Sequence, residues 1–183
     1  SYILENRDVN GTPTVELFRE KFADDSATFM MIDKATSGQT ETILFNIDIE
    51  GPINKDKTAV LRVFAKMFYT HLGFYGDNLK VAMLEQYIAQ QGKTEEFRRV
   101  FEQKKGKPWV EQRKAFAFNG KFIIPALMEV LDMSQTDAEN WFKDKTSVEF
   151  SIARLVEDIK AYIAQKPKDF RLLFMIDEVG QYV

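Results

Sequence analysis

Phe170-Arg171-Leu172-Leu173-Phe174-Met175-Ile176-Asp177-Glu178 is the stretch on which the reading of this chain turns. Five consecutive apolar residues, Leu172 to Ile176, follow a helical pattern and end in two acids. A run that short and unbroken predicts a central parallel strand over 170–177, covered on both faces. In open α/β sheets, ligands gather at the carboxyl ends of the strands. Phosphoryl transfer from a nucleotide needs one carboxylate near Mg²⁺ and a second group that orients the attacking water. Neighbouring strand residues point to opposite sides, so Asp177 and Glu178 can hold those two roles. This is the pattern of a Walker B segment. An ordinary buried strand with an acidic end fits the same residues equally well.

A Walker A loop would complete such a site, with glycine-rich backbone cradling the phosphates and a lysine reaching the terminal ones. The only Gly-Lys-Thr is Gly92-Lys93-Thr94, and Tyr87 stands where the motif wants its first glycine. Its surroundings are helical, so Gly92 reads as a helix stop and Thr94 as the next helix cap.

Upstream, residues 1–11 show no periodicity and read as an arm. Thr12-Pro13 predicts a helix start, with Val15, Leu17, Phe18 and Phe22 on one face and an end near Asp24. Two strand-like runs follow, Thr28 to Ile32 and Thr42 to Ile49. The turn-rich Thr36-Ser37-Gly38-Gln39-Thr40 between them predicts a hairpin. Asn46 and Asp48 interrupt the second run. They read as an exposed strand face or, more sharply, as polar groups near a nucleotide edge.

From 54 to about 165 the pattern is helical throughout. Val60, Leu61, Phe64, Met67, Phe68 and Leu72 share a stripe, and Gly73 stops it. Further helices are predicted from Leu79 to Ile88, after Thr94, from Trp109 to Phe118, and from Phe122 to Leu131, where Pro125 is tolerable only near the first turn. Ser134 to Asp137 and Thr146 to Glu149 resemble capping boxes. The most regular helix carries Val148, Ile152, Leu155, Val156, Ile159, Tyr162 and Ile163 on one face, and Pro167 ends the region.

The 183 residues suit one domain, or one and part of another. The chain has no cysteine, which excludes disulfides, thiolate metal sites and a cysteine nucleophile. His71 is the sole histidine, so no His-rich metal cluster can form. It reads as a partly buried structural residue, since no Ser or Asp partner has triad spacing. No apolar run approaches the ~20 residues that span a bilayer, and no secretory signal is visible. A cytoplasmic protein with no membrane partner is expected.

The net charge of −3 hides an uneven distribution. Residues 1–50 carry ten acids and four bases. Residues 93–114 carry Lys93, Arg98, Arg99, Lys104, Lys105, Lys107, Arg113 and Lys114 against Glu95, Glu96, Glu102 and Glu111. This stretch is a candidate DNA contact. We read it instead as a solvated pair of helices, because four acids interrupt it and no nucleic-acid motif accompanies it.

The segments Ala35 to Asp48 and Leu172 to Val183, with the helical stretch between them, resemble the large P-loop ATPase of the bacteriophage-exclusion (BREX) defence systems, of the BrxC or PglY type. The resemblance implies that Asp177 is the Walker B aspartate that holds Mg²⁺, usually through water, and that Glu178 is the catalytic glutamate that polarises the hydrolytic water. It implies ATP and Mg²⁺ as cofactors of the full-length protein, with neither bound tightly here, and other defence components as partners. Walker A and the sensor or arginine-finger residues have no counterpart in this sequence. The expected fold is a helix-rich α/β piece of a P-loop NTPase domain. Its parts are an arm, short helix and β-rich part over 1–53, a helical insertion over 54–166 and the Walker B strand over 167–183. No ATP hydrolysis is expected from this chain alone. The alternative is a helical module that docks a protein or DNA without nucleotide chemistry, with self-association open. A stand-alone hydrolase using Asp177 and Glu178 is a third reading, made poor by the lack of histidine and cysteine.

Overall fold

The structure is a computed structural model describing residues 3–46, 59–143 and 151–177. The fold is helix-rich α/β, with nine α-helices and two two-stranded sheets among the described residues. It divides into two compact units, Ser1–Val60 with Ile152–Val183, and Leu61–Ser151.

In the first unit, β1 (Asp8–Val9) and β2 (Thr12–Pro13) form a minimal antiparallel hairpin. Asn10 and Gly11 supply its turn with φ of 52° and +84°, the left-handed pair that tight hairpins prefer. The segment expected to be an arm therefore turns back on itself. Helix α1 (Thr14–Lys21) begins after Pro13 and ends before Asp24.

The expected strand over 28–32 is instead part of a helix, α2 (Ser26–Thr36). Asp25 is the reason. Its carboxylate accepts from the Thr28 backbone N–H at 3.1 Å and the Thr28 hydroxyl at 2.6 Å, which caps the first turn. Phe29, Ile32 and Asp33 then lie half-buried on one side, and Asp33 bonds Arg19 of α1. There is thus no hairpin between 28–32 and the next strand.

That strand, β3 (Thr40–Asn46), pairs in parallel with β4 (Arg171–Asp177), in register from Thr40↔Arg171 to Asn46↔Asp177. The predicted parallel strand is present, though its setting differs from expectation. One sheet face carries Glu41, Ile43 and Phe45 beside Leu172, Phe174 and Ile176. Ile43 and Phe45 are buried there, and α9 (Ile152–Ile163) bonds Glu41 through Tyr162 on this side. The opposite face leaves Leu44 63% and Met175 37% exposed. This face is therefore open toward the carboxyl ends of the strands, while Thr40 at its amino end is buried, so the sheet is not covered on both faces along its whole length. Residues 47–49 and the Thr146–Glu149 capping box lie outside the described residues.

The second unit is helical: α3 (Ala59–His71), α4 (Leu79–Gln90), α5 (Thr94–Lys105), α6 (Trp109–Gln112), a 3-10 segment (Arg113–Phe118), α7 (Gly120–Leu131) and α8 (Gln135–Lys143). Gly73, Gly92 and Gly106 end helices with positive φ, as their positions foretold. Thr94 is the first helical residue, and the cap position falls to Lys93, which makes no side-chain cap bond. Ser134 caps α8 as expected, accepting from the Asp137 N–H at 3.1 Å and donating to its carboxylate at 2.6 Å. Pro125 sits at the sixth residue of α7, past the first turn, on an exposed face. His71 is exposed at the end of α3 rather than partly buried.

The core of this unit centres on Trp109, whose ring meets Phe97 and Phe101 edge-on at 5.2 and 5.1 Å. Leu84, Ile88, Ile123 and Leu127 close around it. The buried Glu85 carboxylate ties this core together. It accepts from Trp109 Nε1 at 2.7 Å, the Tyr75 N–H at 2.6 Å and Arg113 at 3.3 Å. A buried charge needs such partners, since an unpaired one would cost several kcal/mol. Trp109→Ala removes both the ring packing and a donor to Glu85. It is expected to destabilise the protein by about 3–5 kcal/mol in urea unfolding; a loss under about 1 kcal/mol would mean that Trp109 does not organise this core.

Candidate functional site

Two parallel strands end together, and the chemistry-bearing residues sit at that end. Asn46 and Asp177 are register partners at the carboxyl termini of β3 and β4. By the alternation of strand side chains they share a face with Leu44 and Met175, the face left open. Asp177 is exposed there. This is the location at which α/β sheets bind ligands. Glu178, the expected catalytic glutamate, lies outside the described residues, as does Asp48.

A single carboxylate at this position fits the way Mg²⁺ is usually held, through one or two carboxylates and the substrate's phosphates, with waters completing the shell. Among the described residues no group of three or more His, Cys, Asp and Glu side chains could hold a metal by itself.

The opposite, amino end of the strands is a structural lock. Arg171 N–H donates to the Gln39 carbonyl at 2.9 Å, and its guanidinium donates to the Ala35 carbonyl. Gly38 packs so closely on the turn before β4 that a Cβ there would stand 2.5 Å from the Asp169 carbonyl oxygen. Backbone lies on both sides of that contact, so no larger residue fits without separating the strand entries.

Beside this lock, Tyr162 donates to one Glu41 oxygen at 2.5 Å and Lys166 to the other at 2.8 Å. The Lys166 ammonium also lies over the Tyr162 and Phe170 rings, at 4.5 and 5.2 Å from their centres. This constellation was not read from the sequence, because its members are 121 and 125 residues apart. Burial first, and then the bond to Glu41, raise the Tyr162 phenol above its ordinary 10.0. The Glu41 bond chiefly raises Lys166 above 10.5. These bonds fasten the end of α9 to the sheet. On the outer side of β3, Glu5 accepts from the Thr42 N–H at 2.7 Å and from its hydroxyl. Burial opposes the Glu5 charge, and the Thr42 and Arg7 contacts overcome it, leaving its carboxyl below 4.5.

No protein-family model matches the chain, and no solved structure matches it. Among the described residues no helix is long and apolar enough to cross a membrane.

Both raised groups hold their proton more tightly in the folded state. Their stabilisation is complete below pH 10 and is lost as pH climbs through the raised values. Glu41→Gln should flatten the fall in urea midpoint between about pH 10 and 12, because it removes the main cause of the Lys166 shift. An equally steep fall in the variant would show that this cluster does not couple pH to folding.

Proposed function

We propose that the strand-bearing unit is the Walker B half of an ATP site, in a P-loop ATPase similar to the large ATPase of BREX defence systems. The observation that carries this reading is the parallel pairing of β3 with β4, which brings Asp177 to a carboxyl end beside an uncovered apolar face. Asp177 would hold Mg²⁺ through water, and Glu178 would polarise the water that attacks the terminal phosphate. Mg²⁺ would supply charge neutralisation on the β- and γ-phosphates.

The distribution of exposed apolar side chains supports the same reading. Of the twelve large ones exposed among the described residues, nine lie in the strand-bearing unit: Val9, Leu17, Met30, Met31, Leu44, Ile152, Val156, Ile163 and Met175. Such surface is what a sheet and its helices present where further elements pack. The helical unit has only three and a closed core of its own. The phosphate cradle would come from chain joined to this one, because no Walker A sequence occurs in the 183 residues.

This chain by itself should show no ATP turnover. In a protein that joins it to a phosphate-binding loop, Glu178→Gln should slow hydrolysis at least ~100-fold while nucleotide still binds, and Asp177→Asn should weaken Mg²⁺-dependent nucleotide binding. Hydrolysis by the Glu178→Gln protein at the wild-type rate would remove the Walker B assignment. Turnover by the isolated chain that Glu178→Gln abolishes would overturn the expectation that it is inactive alone.

A further inference from the structure

The basic stretch 93–114 separates into two parts once its ion pairs are drawn. Lys93 meets Glu96 at 2.6 Å, Arg98 meets Glu95 at 2.8 Å, Lys104 meets Glu129 at 2.6 Å and Arg113 meets the buried Glu85 at 3.3 Å. Arg99 is exposed and makes no ion pair among the described residues, and beyond Lys104 cations without an ion pair become the majority. Lys105, Lys107, Lys114 and, just outside the stretch, Lys121 make no ion pair among the described residues. Lys105 and Lys121 both rest on the Phe122 ring, 4.6 and 4.9 Å from its centre. The acids nearest in sequence are Glu102 and Glu111, both exposed.

Between Lys114 and Lys121 in the chain stands Phe118, 87% exposed, the most exposed large apolar side chain among the described residues. Lys114 precedes it by four residues and Lys121 follows it by three, and Val110 is half-exposed nearby in the chain. A phenyl ring held in water at the end of a 3-10 segment gains nothing from its own fold. Asn119 fixes its position by donating to the Gln112 and Ala115 carbonyls at 3.1 and 3.2 Å.

We propose that this face binds single-stranded nucleic acid, with Phe118 stacking on an unpaired base and Lys107, Lys114 and Lys121 contacting the flanking phosphates. Both halves of the surface point the same way. A single strand offers an exposed π-face for the ring and negative charge for the cations beside it. A duplex hides its base faces and would use the lysines alone. The chain as a whole is acidic, with net charge −3, so attraction must come from this cluster and not from overall charge. The inference does not depend on the nucleotide-site reading.

The test is fluorescence anisotropy of a labelled 20-nucleotide oligo-dT with the 183-residue protein, titrated at several salt concentrations. Three phosphate contacts predict an affinity that falls roughly 20-fold between 50 and 200 mM salt. Phe118→Ala should weaken binding about fivefold or more through lost stacking. Lys114→Glu with Lys121→Glu should abolish it, while Lys168→Glu in the other unit should leave it within about twofold. All four side chains are exposed, so circular dichroism should be unchanged in every variant. No saturable binding at 20 mM salt would overturn the proposal. So would equal losses from Lys168→Glu and Lys114→Glu, or binding indifferent to Phe118→Ala. Displacement of the oligonucleotide by polyglutamate at matched charge would reassign the face to an acidic protein and also overturn it.

Discussion

The register between β3 and β4 is the constraint on which the strand-bearing unit depends. Parallel strands cannot be joined by a tight turn; here the helical unit intervenes between residues 46 and 171. Closing so long a connection costs entropy before any pairing is gained, and local sequence cannot set the register. Contacts at the strand entries set it instead. Arg171 bonds Gln39 and Ala35, Gly38 abuts Asp169, and Glu41 is gripped by Tyr162 and Lys166. With the amino ends locked, Asn46 and Asp177 arrive together six residues later. A slip of one residue would turn Asp177 to the face where Ile43 and Phe45 are buried.

Where the chain carries dense local signals, its sequence was legible. The apolar run Leu172 to Ile176 stands out against its helical neighbours, and glycines 73, 92 and 106 mark helix ends because only residues at ease with positive φ sit there. Thr28 to Ile32 misled because Thr, Phe and Ile favour strands, whereas one carboxylate, Asp25, capped the turn before them and fixed a helix. Burial on both faces of β4 was inferred from its unbroken apolar run, and Met175 and Leu44 are instead open. The Glu41–Tyr162–Lys166 cluster and the Glu85 hub had no local signal, since their partners meet only through the tertiary fold. Of the candidate site, Asp177 was legible from its place after the apolar run, and its pairing with Asn46 was not.

The two units differ in how they meet water. The helical unit buries a continuous aromatic and aliphatic core, and its charges are largely paired as far as Lys104. The strand-bearing unit buries Ile43, Phe45, Leu155 and Phe170 but leaves Met30, Met31, Leu44 and Met175 open. A two-stranded sheet is marginal by itself, and the bonds of Tyr162 and Lys166 to Glu41 tie α9 to it. Of this open surface, Leu44 and Met175 share a strand face with Asp177, which is where the proposed nucleotide site would be completed.

The most direct measurement is paramagnetic broadening of backbone amide signals by Mn²⁺–ATP, in a protein joining this chain to a phosphate-binding loop. The account predicts loss of the Asn46, Ile176 and Asp177 signals, with those of Thr40 and Arg171 retained. Broadening confined to Thr40 and Arg171, or none on either strand, would contradict it.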